Sequence, residues 1–331
     1  MMDICVLRRT VRPALAAVAA VVTLASFAAA QAREGSFDRT LKVSGAVDLS
    51  IRTGSGQIVV RPGASDTVRV IGRIRASDSW FRSRDVDQRI RRIEQNPPIE
   101  QQGNTIHIGR FDDERLQQDI SISYDVTVPG ATTLEARSGS GSQRIGDIAG
   151  PVEASTGSGS IEIGRIAGAV VASAGSGSLE VDGAGSLEAR TGSGRIRAAA
   201  VSGRTSARSG SGSIWIAQTG KGDVEVSASS GGVTLTGVDG AVRVRCSSGS
   251  VSIEGRPSGP WSVDSSSGPV TLELPPDASF ELDASTSSGR IDSVHPVTIV
   301  GKIDRRRLQG KVRGGGALVD VHASSGSIRI R

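Results

Sequence analysis

Apolar and polar residues alternate along most of the chain, in short runs that glycine and serine separate. Ile161 and Ile163 flank Glu162, and the same arrangement follows at residues 179–181 and 214–216. A period of two with apolar residues on one side is typical of a β-strand that buries one face. The pattern therefore predicts strands throughout, with Ile161 in the core and Glu162 on the outside.

A Gly-Ser motif precedes these strands and makes the chain a repeat. Its copies include TGSGSI from Thr156 and SGSGSI from Ser209. The glycine that closes the motif recurs every 17–21 residues from Gly141 to Gly289, and again 37 residues later at Gly326. A period near 18 suits one turn of a β-solenoid, and parallel crossovers are right-handed. The sequence predicts an all-β, right-handed parallel β-solenoid with coils of about 18 residues.

The Gly-Ser motif is predicted to form the corner of each coil. Serine precedes the closing glycine in eleven copies. Stacked coils would place these hydroxyl groups about 4.8 Å apart, so we expect them to pass hydrogen bonds between coils. The glycines are expected to supply backbone angles that a Cβ forbids. The predicted corner residues are Ser158, Gly159, Ser176, Gly177, Ser211 and Gly212.

The first 32 residues have the features of a secretory signal peptide. Basic residues at Arg8, Arg9 and Arg12 precede an Ala-rich apolar run, and Ala30-Gln31-Ala32 has the small-x-small form of a cleavage site. Export to the periplasm or the cell surface follows, with no membrane span after cleavage. The alternative is a segment that is retained as an anchor.

The remaining chain divides into a capping segment, residues 33–130, and a regular solenoid, residues 131–331. Within the cap, Val86, Ile90 and Ile93 are spaced four and three residues apart, and Asn96-Pro97-Pro98 follows. This predicts a short amphipathic helix over residues 83–95; the alternative is a charged loop. Residues 293–317 break the repeat and are predicted to form a degenerate coil.

Three segments together resemble a known family. A lead-in at residues 124–129 (YDVTVP) precedes the repeated S-G-x-I-x-[IV] coils, and residues 314–318 (GGGAL) run into Ser325-Gly326-Ser327-Ile328. In this order the chain resembles the bacterial "putative adhesin" β-solenoid family, a domain of unknown function. The resemblance covers nearly all of residues 33–331. It implies an exported, non-catalytic β-solenoid and supplies no catalytic residues.

Composition argues against nucleic acid as a partner. The net charge is +5, and it falls to +3 without residues 1–32, which hold three basic residues and one acidic residue. Nucleic-acid-binding proteins concentrate basic residues on one face, whereas here both signs are interspersed. Cys246 is the one cysteine after residue 32, so no disulfide within the chain is possible. It occupies a column of small residues, which favours a packed thiol over a reactive one.

An enzyme is not predicted, although some β-solenoids cleave acidic polysaccharides. Glu162 and Glu180 stack on adjacent coils, but Arg144 and Arg197 lie on either side of them in the same column. This reads as a surface charge ladder and not as a catalytic carboxylate pair. The three histidines have no metal-ligand spacing, and no cofactor is indicated. Polysaccharide lyase or hydrolase activity remains the alternative.

Trp215 is the candidate contact residue. It falls at an outward position next to Arg197, in a chain with only 3% aromatic residues. It could stack on a sugar ring or anchor a protein partner; the alternative is a cation–π contact with Arg197 alone. Trp261, by contrast, falls at an inward position. The chain is predicted to be an adhesin-like interaction protein or a structural protein of the cell envelope, with an envelope protein or a glycan as its partner.

Overall fold

The computed structural model describes residues 34–76, 83–111, 116, 119–299 and 304–331. The predicted signal peptide at residues 1–32 lies outside the described residues. The first part of the described chain holds one helix, α1 (Ser83–Gln95), and seven strands. These strands are β1 (Glu34–Lys42), β2 (Val47–Thr53), β3 (Ile58–Pro62), β4 (Thr67–Ala76), β5 (Ile99–Gln102), β6 (Thr105–Ile108) and β7 (Ile120–Val128).

The described residues of the middle and last parts form strands joined by turns and bends, and none of them lies in a helix. The middle strands are β8 (Thr132–Ser138), β9 (Gln143–Ile145), β10 (Val152–Thr156), β11 (Ile161–Ala174), β12 (Leu179–Thr191), β13 (Ile196–Val201), β14 (Thr205–Ser209), β15 (Ile214–Gln218), β16 (Val224–Ala228), β17 (Val233–Asp239), β18 (Val242–Cys246), β19 (Val251–Arg256), β20 (Trp261–Ser265) and β21 (Val270–Glu273). The last strands are β22 (Phe280–Thr286), β23 (Ile291–Ser293), β24 (Val297–Ile299), β25 (Arg307–Val312), β26 (Ala317–Ala323) and β27 (Ile328–Ile330).

Parallel pairing between successive repeats builds one large sheet. Ile161 pairs with Leu179, Leu179 with Ile196, and Ile196 with Ile214, so each repeat lies directly on the one before it. The prediction of an all-β chain with a large parallel, solenoid-like sheet is confirmed. The single helix of the described chain is α1, and it lies where the spacing of apolar residues changes from two to three or four.

The alternation of the sequence is the alternation of burial. Ile161 is 1% exposed, whereas the side chain of Glu162 is 49% exposed. A strand turns successive side chains to opposite faces, so one set of residues fills the interior and the other forms the outer surface. The predicted register is therefore confirmed at Ile161 and Glu162. Trp261, predicted to lie in the core, is buried as well.

Residues of the capping segment cover the N-terminal end of the stack. Strands β2 and β3 pair in parallel with β8 and β9, and on their other side with β6 and β7. Beyond them β4 and β1 add antiparallel strands. The apolar face of α1 is buried, and Glu94 accepts a hydrogen bond from the backbone N–H of Ser36 on β1 at 2.9 Å. Strands β2 and β3 thus continue the parallel pairing of the stack into residues 33–130.

At the C-terminal end the order of the coils differs from the order of the sequence. Strands β26 and β27 pair on one side with β20 and β21 and on the other side with β22 and β23. The last repeat of the chain is thus inserted one position inward. Within residues 293–317, where a degenerate coil is expected, β24 and β25 pair antiparallel with each other, and β25 pairs antiparallel with β22. The corner motif varies too little between copies to specify which copies are neighbours.

Candidate interaction surface

The corner glycines are needed because successive backbones approach closely. A Cβ on Gly177 would lie 1.7 Å from the carbonyl oxygen of Gly159, and one on Gly212 would lie 1.7 Å from that of Gly194. None of Gly159, Gly177 and Gly212 has a positive φ. The expectation that these glycines supply unusual backbone angles is therefore wrong. They leave room for the carbonyl oxygen of the preceding coil.

Coil-to-coil hydrogen bonds at the predicted serine ladder come from the backbone. The N–H groups of Ser158, Ser176 and Ser211 donate to carbonyl oxygens of the preceding coils at 3.2, 3.1 and 3.0 Å. The three serines are exposed. The hydroxyl groups that bond within the corner belong instead to threonines and serines two positions earlier, in the column of small residues that also contains Cys246.

Thr156 and Thr191 show what this earlier position does. The Oγ1 of Thr191 donates to the carbonyl oxygen of Gly177 at 3.0 Å and accepts the N–H of Gly194 at 3.0 Å. Thr156 accepts the N–H of Gly159 at 3.1 Å in the same way. Each such hydroxyl satisfies one donor in its own coil and one acceptor in the coil below, so it links two corners.

Cys246 occupies the same column and is buried, as predicted for a packed thiol. Its Sγ lies 3.5 Å from the carbonyl oxygen of Gly231, where the threonines place their hydroxyl groups. Burial raises the pKa of the Cys246 thiol, and a raised pKa reduces the fraction of reactive thiolate. The Cys246 thiol therefore takes the place of the threonine hydroxyl group in its corner and makes weak hydrogen bonds to the carbonyl oxygens of Gly231 and Gly249.

The outward column that follows the corners begins with a charge ladder. Arg144 and Glu162 form an ion pair at 2.7 Å, and Arg197 and Glu180 form one at 3.5 Å. The hydrogen bond to Glu162 raises the pKa of Arg144. All four side chains are about half exposed, so solvent screening weakens both ion pairs. Glu162 and Glu180 are therefore each paired with an arginine on the surface, and they do not form a pair of free carboxylates.

Trp215 continues this column immediately after Arg197. The two residues are paired in register, and the Arg197 guanidinium carbon lies 4.2 Å from the centroid of the Trp215 ring. Trp215 is only partly buried, so it lies on the outer surface. The cation–π contact expected from the sequence alternative is present, and it covers part of the ring. Trp261 has the opposite environment: its Nε1–H donates to the carbonyl oxygen of Gly240 at 3.0 Å inside the core.

Beyond Trp215 the column loses its charges. Thr234, Ser252 and Thr271 follow Trp215 on the next three coils. Two residues further along the strands, Ala217 pairs with Thr236 and Glu254 pairs with Glu273, and a shift of register after Leu235 separates the two pairs. In the described part of the chain Glu254 and Glu273 have no ion pair. We call Trp215, Thr234, Ser252, Thr271, Glu254 and Glu273 the Trp215 track.

The other outer face has an acidic cluster near the C-terminal end, which the sequence analysis missed. Asp320 pairs in register with Asp283, and Asp264 on the adjacent strand pairs with His322. Burial, and then repulsion from Asp283 and Asp264, raise the pKa of Asp320. Asp283 also forms an ion pair with Arg307 at 2.9 Å. The inserted strand β26 brings the three carboxylates together, so no sequence spacing indicated them.

The described residues contain neither a candidate metal site nor a candidate membrane-spanning helix. No group of three His, Cys, Asp or Glu side chains within them is arranged to bind a metal ion. No helix among them combines the length and the apolar character needed to cross a bilayer.

Comparisons with known proteins give one family and one solved structure of note. No curated protein matches the chain. The crystal structure of a "putative cell adhesion protein" from Clostridium sporogenes ATCC 15579 is similar over 90% of this chain and 99% of its own, with 10% sequence identity and a TM-score of 0.21. The model of the family described as Toastrack DUF4097 matches residues 38–331. This match confirms the resemblance seen in the sequence, and the chain belongs to the Toastrack DUF4097 family.

Proposed function

We propose that the protein is an exported, non-catalytic β-solenoid that acts as an adhesin-like interaction protein or as a structural protein of the cell envelope. The observation that carries this proposal is the regular outer surface. Register pairs such as Arg197 with Trp215 and Trp215 with Thr234 hold outward side chains in straight columns on a shared backbone. A surface of this kind presents many weak contacts in a fixed array, which suits binding to an extended partner.

The stack supports this role because its ends are occupied. A bare terminal coil would expose apolar core and unpaired backbone, and it would attract further strands. Here β1 and β4 add antiparallel strands at one end and β24 and β25 do so at the other. Capped ends favour a discrete molecule that presents its sides.

The finer features of the architecture are part of the same proposal. We take the solenoid to be right-handed with coils of about 18 residues, since parallel crossovers almost always have this hand. Residues 1–32 are proposed to direct export to the periplasm or the cell surface, with residues 33–130 contributing the N-terminal cap. The face that carries Trp215 and Arg197 is the proposed contact surface.

The acidic cluster supports a second candidate, polysaccharide lyase or hydrolase activity. Glycan-cleaving enzymes need at least two convergent carboxylates, one of which has a raised pKa. Asp320 has a raised pKa and lies beside Asp283 and Asp264. Against this candidate, Asp283 is engaged by Arg307, and Asp264 and Asp320 lie on an exposed outer face. The interaction role is therefore the better supported of the two.

One experiment separates the two functions. The purified protein is incubated with a panel of neutral, amino and acidic envelope glycans while binding and release of cleaved products are measured in the same samples. A pull-down from envelope extract runs beside it to capture protein partners. The interaction role predicts saturable binding to one class and no product. Product release that disappears in Asp320→Asn would establish the enzymatic role.

A further inference from the structure

We infer that the Trp215 track binds a non-acidic glycan chain, rich in hydroxyl or ammonium donors, that lies along the axis of the stack. This inference rests on the proposed interaction role and names the ligand class for it. The track spans the four coils from Trp215 to Thr271, in register throughout. Three coil steps of about 4.8 Å give it a length of about 14 Å.

The chemistry of the track changes from aromatic to hydroxyl to carboxylate. Trp215 offers a flat apolar ring, on which the C–H face of a sugar packs. Thr234, Ser252 and Thr271 then provide hydroxyl groups, each able to donate and to accept a hydrogen bond. The ring and the hydroxyl groups share one column, so a ligand that uses all of them must run across the strands from coil to coil.

The carboxylates decide the charge of the ligand. Glu254 and Glu273 are adjacent in register and exposed, and neither has an ion pair in the part of the chain that the structure describes. The nearby Arg256 is held by Asp277 at 3.0 Å. Carboxylates without an ion pair accept hydrogen bonds from hydroxyl or ammonium groups, and they repel an acidic sugar. Arg197 precedes Trp215 in its column, and on the last coil Arg329 pairs in register with Thr271 while Arg331 follows next to Glu273.

A protein partner fits this surface less well. Protein interfaces depend on a desolvated apolar centre with aromatic anchors surrounded by other apolar groups. Around Trp215 the neighbours on the strand and on the next coil are Ala217, Thr234 and Thr236. The track thus supplies one ring and a series of polar groups, and too little apolar area for a protein hot spot.

Arg197 does not block access to the ring. Its contacts in this region are the cation–π contact to Trp215 and a 3.5 Å ion pair with Glu180, and its side chain is 50% exposed. Both contacts are exposed to solvent and are therefore weak. A sugar ring can therefore displace the guanidinium from Trp215, while Arg197 keeps its ion pair with Glu180.

The test uses hexamers of glucosamine, N-acetylglucosamine and galacturonic acid in direct binding titrations with the purified protein. The glucosamine or N-acetylglucosamine hexamer should bind and the galacturonic acid hexamer should not. Trp215→Ala should weaken binding at least about tenfold. Glu254→Gln combined with Glu273→Gln should weaken binding of the glucosamine hexamer by a similar factor. Glu162→Gln, in the same column but outside the track, is the matched control and should bind like the parent.

The outcomes that contradict the inference differ from those that contradict the proposed function. Preferred binding of the galacturonic acid hexamer, or binding unaffected by both track variants, would overturn the glycan track and leave an interaction protein with another site. Capture of a protein partner whose binding requires Trp215, with no hexamer bound, would also overturn the track. Absence of any glycan or protein binding would overturn the proposed function itself. Unchanged melting temperatures for the exposed-site variants ensure that each loss reports on binding.

Discussion

Gly326 stacks directly on Gly268, 58 residues earlier in the chain, so closely that a Cβ on Gly326 would lie 1.8 Å from the carbonyl oxygen of Gly268. Gly289, which follows Gly268 in the sequence repeat, instead stacks on Gly326. This contact fixes the order of the coils at the C-terminal end. It also shows that close backbone approach, and not backbone angle, requires the corner glycines.

Alanine at a corner glycine should be strongly destabilising. In Gly177→Ala the new Cβ would meet the carbonyl oxygen of Gly159 at 1.7 Å, so the two coils must separate. We expect a loss of about 3 kcal/mol in the free energy of unfolding, measured by chemical denaturation. Gly54→Ala is the control, because no atom lies within 4 Å of a Cβ there. Equal losses for the two variants would contradict the close-approach explanation.

The hydroxyl group of Thr191 should matter more than that of any corner serine. Thr191→Val removes the bonds to Gly177 and Gly194 and leaves a buried N–H and a buried carbonyl oxygen without their partner. The expected cost is about 1–3 kcal/mol. Ser158→Ala removes only an exposed hydroxyl and should cost less than about 0.5 kcal/mol. Denaturation curves that ranked these variants in the opposite order would restore the predicted serine ladder.

The strand register can be tested at two adjacent residues. Ile161→Asp would place an unpaired carboxylate at a position that is 1% exposed, and it should cost several kcal/mol, on the order of 3–5. Glu162→Asp shortens an exposed side chain and should change the free energy of unfolding by less than about 0.5 kcal/mol. Similar losses at both positions would mean that the register is shifted by one residue.

Asp320→Asn should stabilise the protein at neutral pH. Burial and the carboxylates of Asp283 and Asp264 raise the pKa of Asp320, whereas His322 and Arg307 lower it to a smaller extent. A carboxyl group with a raised pKa binds its proton more tightly in the folded state, so its ionisation reduces stability as the pH rises through the folded pKa.

The gain from Asp320→Asn should therefore be present at pH 7 and disappear below about pH 3.9, the ordinary value for an unfolded aspartate. Melting temperatures of variant and parent at pH 7 and pH 3.5 measure this difference. Asp182→Asn, at another exposed position, serves as the control and should show no gain. A gain from Asp320→Asn that persisted at pH 3.5 would exclude the electrostatic cause.

Much of the fold follows from the sequence because local periodicity and burial express the same physical rule. The alternation around Glu162 assigned the inward and outward residues, and the spacing of Val86, Ile90 and Ile93 placed the helix. The coil order at Gly326 was not predictable, since every copy of the motif is an equally good neighbour for any other. The acidic cluster was missed for the same reason, because Asp320 meets Asp283 only through that order.

The candidate contact surface was predictable only in part. The outward position of Trp215 and its pairing with Arg197 followed from the repeat spacing. The absence of an ion pair at Glu254 and Glu273 did not, because the sequence does not show that the nearby Arg256 pairs with Asp277. Aligning the repeats shows which residues share a column, but it does not show which side chains extend far enough to contact each other.

The most direct test of the interaction role is a single titration that records binding and turnover together. The purified protein is titrated with the glucosamine, N-acetylglucosamine and galacturonic acid hexamers, and the recovered glycan is analysed for shortened products. The proposed function and the glycan-binding Trp215 track together predict saturable binding of a non-acidic hexamer that depends on Trp215, with every bound hexamer recovered intact. Shortened products that accumulate with time, and that persist in Trp215→Ala, would contradict it.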